Sequence, residues 1–422
     1  MHHPVLSGPD PNYRRDIQTS VGAMTRTRVL YLCPDRFLGP VMTVYGQIIG
    51  GLDPSRFELH AALNEAATGT LPFDPSAAVV RRWQFGHGIR QGGITDRAGA
   101  ALCLAKAMTS LIRYARSRHI DVVHCECTAY AGTLGLGLGR IARIPVLLHV
   151  HHVVGRHAGG TVPYPFPRRQ LSRLIVQEAD EVVAVSRFIA KQVGEVASPP
   201  PAIAVVPNGV SLERFHPEIE GAGLRQEYGV EDDDVLVLQL GRIIESKRQD
   251  DFIAAFAEAR ETTPALRGLV VGWEDPCQPG FRSKLSRMCA DHGLEDRFII
   301  ADARPEAPEL MAAADIVVAP SLDEAGGLVV AEAMAAGKPV IGARSGGIAE
   351  IIMDGVTGFL VSPRRPAAIA QKLVLLGGDA ELRRSMGASA RRHAEDVLDE
   401  ARVARKFEPL YERLASRSSS PR

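Results

Sequence analysis

Two glutamates, Glu324 and Glu332, flank a Gly-Gly step in the stretch APSLDEAGGLVVAEAMAAGKPVIGARSGGIAE, residues 319–350. Residues 316–319 form a short apolar run after Asp315 that Pro320 stops, the pattern of a buried parallel strand. Residues 328–336 have a helical composition, and Gly337 with Pro339 ends it. Glu324 is therefore expected in the loop before a helix, and Glu332 about one and a half turns into it. The N–H groups of Gly326, Gly327 and Leu328 would point out of that helix start, where about half a positive charge suits a phosphate or diphosphate. Carboxylates touching the same anion would repel it. Their natural partners are neutral hydroxyls, since one carboxylate can accept two hydrogen bonds from a vicinal diol. A diphosphate between two polyols is a nucleotide sugar, with Glu332 on the ribose and Glu324 on the hexose. The alternative is a surface acid and a helix salt-bridge acid on an ordinary βαβ unit.

A second pair supplies positive charge. The apolar run 235–240 suits a central parallel strand, and Gly241 at its end leads to Arg242 and Lys247, five residues apart. On one loop, a guanidinium fork and an ammonium point charge can clamp a diphosphate from the side opposite the 326–328 amides. Exposed surface cations are the other reading. His151 stands near the carboxyl end of the run 144–152, where α/β sheets present ligands; a core histidine is the alternative there. Neither the histidines 149, 151 and 152 nor the segment His124-Cys125-Glu126-Cys127 suits a single metal site, because neighbouring strand residues face opposite ways. No metal is expected.

The surrounding elements alternate strand and helix. Strands are expected near 28–33, 57–63, 79–85, 121–127, 144–152 and 179–186, then at 235–240, 266–271 and 297–300. Helices are expected at 41–52, 95–119, 187–196, 281–293, 308–314 and 366–376, with one long helix from 380 to about 414 kinked at Pro409. A Gly-rich loop occupies 86–93. Ser198-Pro-Pro-Pro201 is a stiff break, and Asn208-Gly209 gives a tight turn suited to a hinge.

Composition sets the frame. A chain of 422 residues suggests two domains of about 200 residues each. Net charge is zero, but residues 1–210 hold 22 Lys and Arg against 14 Asp and Glu (+8), leaving 27 against 35 (−8) for the rest. The basic first half could attract an anionic acceptor or an anionic membrane surface, or be a solvated face; nothing indicates a nucleic-acid partner. Six cysteines without a C-x-x-C pair read as free thiols of a reducing cytosol. No apolar run reaches 18 residues, and the first 20 are polar rather than a signal peptide. A cytoplasmic protein, peripheral on the membrane if the basic half binds it, is expected.

The Glu324/Glu332 pair resembles the E-x7-E signature of the retaining glycosyltransferases of family 4, and the text after it follows the family pattern. Gly241-Arg242-x4-Lys247 resembles the family's G-R-x4-K, and Pro207-Asn208-Gly209-Val210 its P-N-G-V-D, with Ser211 in place of the Asp. The first glycine loop departs from it: Gly39-Pro40 stands where the family has Gly-Gly, and proline lacks one N–H. The resemblance covers roughly residues 28–410.

The resemblance implies an α/β chain of GT-B architecture, two doubly wound Rossmann-like domains facing an interdomain cleft. It divides the chain into a disordered leader (1–26), an acceptor-binding domain (27–210), a nucleotide-sugar domain (211–397), a helix crossing back to the first domain (398–416) and a tail (417–422). It implies retaining transfer of a hexose from a UDP- or GDP-sugar to a hydroxyl acceptor that is a glycan, lipid-linked or a small molecule, with no cofactor or metal. His151, Arg242, Lys247 and Glu324 would be the catalytic residues. Gly39, Asn208, Gly241, Gly326, Gly327, Leu328 and Glu332 would bind the donor. A nucleotide-sugar epimerase or hydrolase of the same fold, or a non-catalytic partner subunit, is the alternative.

Overall fold

The computed structural model describes residues 26–35, 40–68, 71–85, 94–153, 166–197, 199, 201–276 and 278–418. The expected disordered leader, the glycine loop at Gly39 and the Gly-rich loop 86–93 fall outside them, apart from Arg26.

Two all-parallel sheets form. The first contains β1 (Thr27–Cys33), β2 (Phe57–Asn64), β3 (Val79–Trp83), β4 (Val122–Glu126), β5 (Val146–Val150), β6 (Glu181–Ala184) and β7 (Ile203–Val205), in the order β3-β2-β1-β4-β5-β6-β7. The second contains β8 (Val235–Leu240), β9 (Leu266–Val271), β10 (Phe298–Ala301), β11 (Ile316–Ala319), β12 (Val340–Ala343) and β13 (Gly358–Val361), in the order β10-β9-β8-β11-β12-β13. Parallel strands need crossovers that cover both faces, which is why β8 reads Val-Leu-Val-Leu-Gln-Leu and is buried almost throughout. Strand order reverses between β1 and β4 in one sheet and between β8 and β11 in the other. In doubly wound sheets such reversals open a crevice at the carboxyl ends of the strands.

The chain passes between the lobes twice, and the two passages are bonded together. Val210 N donates to Leu398 O at 2.8 Å and Glu400 N to Val210 O at 3.1 Å. A Cβ on Gly209 would lie 2.7 Å from Glu400 Cα, so only glycine lets the passages approach. Beyond this point the C-terminal helices Glu400–Arg405 and Glu408–Ser418 lie against the first lobe. Phe407, Leu410, Tyr411 and Leu414 complete the core under β1 and β2, and Arg56 pairs with Glu408 and Glu412.

The single helix expected over 380–414 is corrected to several. Ala380–His393 runs into a π-turn at Ala394–Leu398, and Asp399 is extended at φ −51° and ψ 126°. There it bridges to Val210 and caps the next helix through Arg402 N at 2.8 Å. The break thus belongs to Asp399 and its tertiary partner. Pro409 causes no kink, because it is the second residue of its helix, where the missing N–H has no intrahelical acceptor. The fifth strand is also shorter than expected, so His151 and His152 follow β5 rather than lie in it. No helix among the described residues is long and apolar enough to cross a membrane.

Candidate functional site

The crevice of the second lobe is built at the ends of β8 and β11. After β8 the backbone turns at Gly241 with φ +140°, a conformation open to glycine. Two buried amides pin the loop that follows: Gln249 Nε2 donates to Arg242 O at 2.8 Å, and Gln239 Nε2 to Lys247 O at 2.7 Å. Lys247 closes a 3-10 turn, Glu245–Lys247. The Arg242 guanidinium bonds to buried Asp275 at 2.8 Å, and the Lys247 ammonium bonds to the Glu324 carboxylate.

After β11 the loop bearing Glu324 is fastened from two directions. Leu322 N donates to Ser246 O at 2.8 Å, tying it to the lysine loop. Gly347 N donates to Glu324 O at 2.7 Å, and Asp323 N to Ser345 Oγ at 3.1 Å. Gly327, at φ +56°, then starts the helix Leu328–Ala335. Lys247, Ser321, Glu324, Gly327 and Val330 line one cavity between β8 and β11. Lys247, Glu324 and the helix start therefore meet at one cavity, and Arg242, held by Asp275, is close enough to act on the Glu324 charge.

The two glutamates differ electrostatically. Burial alone would raise the Glu324 carboxyl, but the Lys247 ammonium, then Arg242 and the Ser321 hydroxyl, hold it below the ordinary carboxylate range. Among the described residues Glu332 has no cation so close. Burial pushes it up to about 7, against a weaker pull from Arg214.

The first lobe contributes His151. Its Nε2 is buried with no hydrogen-bond partner among the described residues, its ring lies 3.9 Å from that of His149, and burial lowers its pKa to about 4, against a pull from Glu126. It is therefore a neutral imidazole at neutral pH. Behind it runs a buried chain that the sequence did not disclose: His149 Nδ1 to His124 Nε2 at 3.2 Å, His124 Nδ1 to Tyr411 Oη at 2.7 Å, and Tyr411 Oη to Tyr31 Oη at 2.9 Å. Tyr411 comes from the returning C-terminal helix, 380 positions from Tyr31.

The lobes touch at the glycine step. A Cβ at Gly326 would overlap Asn208 Nδ2 and crowd Val185 Cγ2 at 3.3 Å, while Asn208 Oδ1 is buried without a partner among the described residues. Glu350, at the end of the same motif, reaches across as well. Its carboxylate accepts from Arg187 N at 2.9 Å and Phe188 N at 2.7 Å, capping the helix Arg187–Val196 of the first lobe. Among the described residues no His, Cys, Asp or Glu cluster has metal-site geometry.

Two Rossmann-like sheets facing across a hinge, with cations and a helix start at the switch point of the second, define a GT-B fold. Sequence comparison agrees. Residues 223–393 match the model of the glycosyl transferases group 1, and residues 76–214 that of glycosyltransferase family 4. The D-inositol 3-phosphate glycosyltransferase of Streptomyces bingchenggensis (strain BCW-1) is 32% identical over 349 residues, covering 78% of this chain and 75% of that protein. The N-acetyl-alpha-D-glucosaminyl L-malate synthase of Bacillus anthracis is 29% identical over 241 residues, 57% of this chain and 61% of its own. In fold, the chain superposes on Anabaena Alr3699/HepE, solved in complex with UDP and glucose, with a TM-score of 0.75 at 21% identity over 92% of this chain and 100% of that one. The chain belongs to glycosyltransferase family 4.

Proposed function

We propose that this glycosyltransferase moves a hexose from a nucleoside-diphosphate sugar to a hydroxyl of a small anionic acceptor, with retention at the anomeric carbon and without a metal ion. The single observation that supports it most is the meeting of the Lys247 ammonium and the Glu324 carboxylate beside the Gly327 helix start.

The chemistry follows from where charge develops. As the anomeric C–O bond breaks, its electron pair goes to the diphosphate, and groups that bind that charge more tightly lower the barrier. Arg242, Lys247 and the 326–328 amides would do so, taking the place a divalent ion would otherwise fill. The acceptor oxygen forms the new bond on the face that the diphosphate leaves, and its proton passes to the departing phosphate oxygen. Glu324 binds hexose hydroxyls and keeps Lys247 in place; it is no nucleophile. Glu332 receives the ribose diol, and neutral His151 offers a ring nitrogen to the sugar from the opposite lobe. Asn208 and Gly241 shape the walls. The anionic acceptor is supported by the basic balance of the first half and by the names of the relatives, an inositol phosphate glycosyltransferase and a malate synthase.

The test is transfer from a panel of UDP- and GDP-sugars to inositol phosphates and hydroxy acids, with the product's anomeric configuration read by proton NMR. Retention with one donor–acceptor pair is expected. Inversion, or donor consumption without any acceptor, would overturn the reading.

A further inference from the structure

We infer that the exposed indole of Trp273 is the stacking platform for the nucleobase of the donor, an inference that rests on the nucleoside-diphosphate reading above. Trp273 follows β9, is 49% exposed, and is one of two tryptophans in the chain. A ring of this size left half in water at the carboxyl end of the parallel strand beside β8 stands where doubly wound sheets meet their ligands.

Strand register identifies its neighbour. β8 pairs with β9 from Val235↔Leu266 to Leu240↔Val271, and the same offset returns past the strand ends in the bridge Ile243↔Glu274. Arg242 and Trp273 are therefore side by side, about 4.8 Å apart across the ladder. Backbone bonds continue the pairing: Gly241 N to Val271 O at 3.0 Å and Ile243 N to Trp273 O at 2.9 Å. Asp275, two residues past Trp273, holds the Arg242 guanidinium at 2.8 Å. A Cβ on Gly272 would overlap the Gly241 carbonyl, so glycine is what lets these loops close on each other.

Alternation fixes the side. Leu238, Leu269 and Val271 pack into the core that also receives Val330 and Ala331 of the helix Leu328–Ala335. Past the turn at Gly241, Ile243 returns to the opposite core with Val235 and Val237, so Arg242 follows the face of Leu238, and Trp273, its partner across the ladder, shares that side of the sheet with the helix that carries Glu332. A donor held by its phosphates in the crevice between β8 and β11 leaves its base free to lie over the end of the neighbouring β9, where the exposed indole stands. Every base offers a π face, so the platform accepts a nucleotide without choosing the base by hydrogen bonds.

The test uses the full chain with Trp83→Phe, which leaves Trp273 as the one fluorophore of its type. UDP, GDP and inorganic pyrophosphate are titrated by indole emission and by calorimetry. Both nucleotides are expected to change the emission and pyrophosphate to leave it unchanged. Trp273→Ala should weaken nucleotide binding about tenfold with pyrophosphate binding intact, and Trp273→Phe should lose less. Unaltered UDP and GDP affinity in Trp273→Ala would overturn the inference. So would an equal loss of pyrophosphate, which would mean the ring only braces the Arg242 loop, or an emission change produced by acceptor alone. Absence of any nucleoside diphosphate binding to the unmodified protein would instead overturn the donor reading, and this inference with it.

Discussion

Asn208 of the first lobe lies directly against Gly326 of the second, so closely that a methyl group at 326 would overlap the Asn208 amide nitrogen. Gly326→Ala should therefore hold the lobes apart and reduce kcat by more than about tenfold, since small misplacements of reacting groups are costly. Adding Asn208→Gly should restore part of the rate. Steady-state kinetics of the single and double variants checks this, and a Gly326→Ala enzyme at full rate would show that this contact is dispensable.

Removing the ammonium at Lys247 deletes a group aimed at developing charge. Lys247→Ala should lower kcat about a hundredfold with a smaller change in donor KM. Glu324→Gln should also lower kcat, and unchanged turnover there would refute its place on the hexose.

The Glu332 carboxyl, pushed up to about 7 by burial, should give donor binding a pH dependence. Ribose hydroxyls bond to the charged form, so the bound pKa lies below the free one, and binding releases a proton. Affinity should be full above pH 7 and weaken as pH falls through about 7. Calorimetry from pH 5.5 to 8.5 reads it; Glu332→Gln should flatten the profile.

Glu350 caps a helix of the opposite lobe. Glu350→Ala leaves the Arg187 and Phe188 amides without that partner and costs about 1 kcal/mol of lobe closure. Small-angle scattering without ligand should show a larger radius of gyration than the unaltered protein, and the donor should reverse the difference.

Tyr411→Phe removes one hydroxyl that serves both His124 and Tyr31 in the buried core. A loss of about 1–3 kcal/mol is expected on urea unfolding, together with a shifted pH–rate profile if the histidine chain orients His151.

What the sequence disclosed was local. The Gly-Gly step, Glu324 and Glu332 lie within nine positions, and Arg242 and Lys247 within six, so strand, turn and helix periodicity place them on their own loops. The contact of Lys247 with Glu324 spans 77 positions, and that of Tyr411 with His124 spans 287. No periodicity encodes such pairings; only the strand order brings them together. The single helix expected from 380 to about 414, kinked at Pro409, failed for the same reason. Its apolar spacing continues through Asp399, and the break is set by Val210, 189 positions away.

The first lobe finishes its core with Phe407, Leu410, Tyr411 and Leu414, supplied by residues that follow every strand of the second lobe. During synthesis on the ribosome, that lobe must wait, with the underside of its sheet uncovered, until the second lobe has emerged. Emergence of these returning helices, rather than completion of the leading half, is thus the event that seals the amino-terminal half against aggregation and proteolysis.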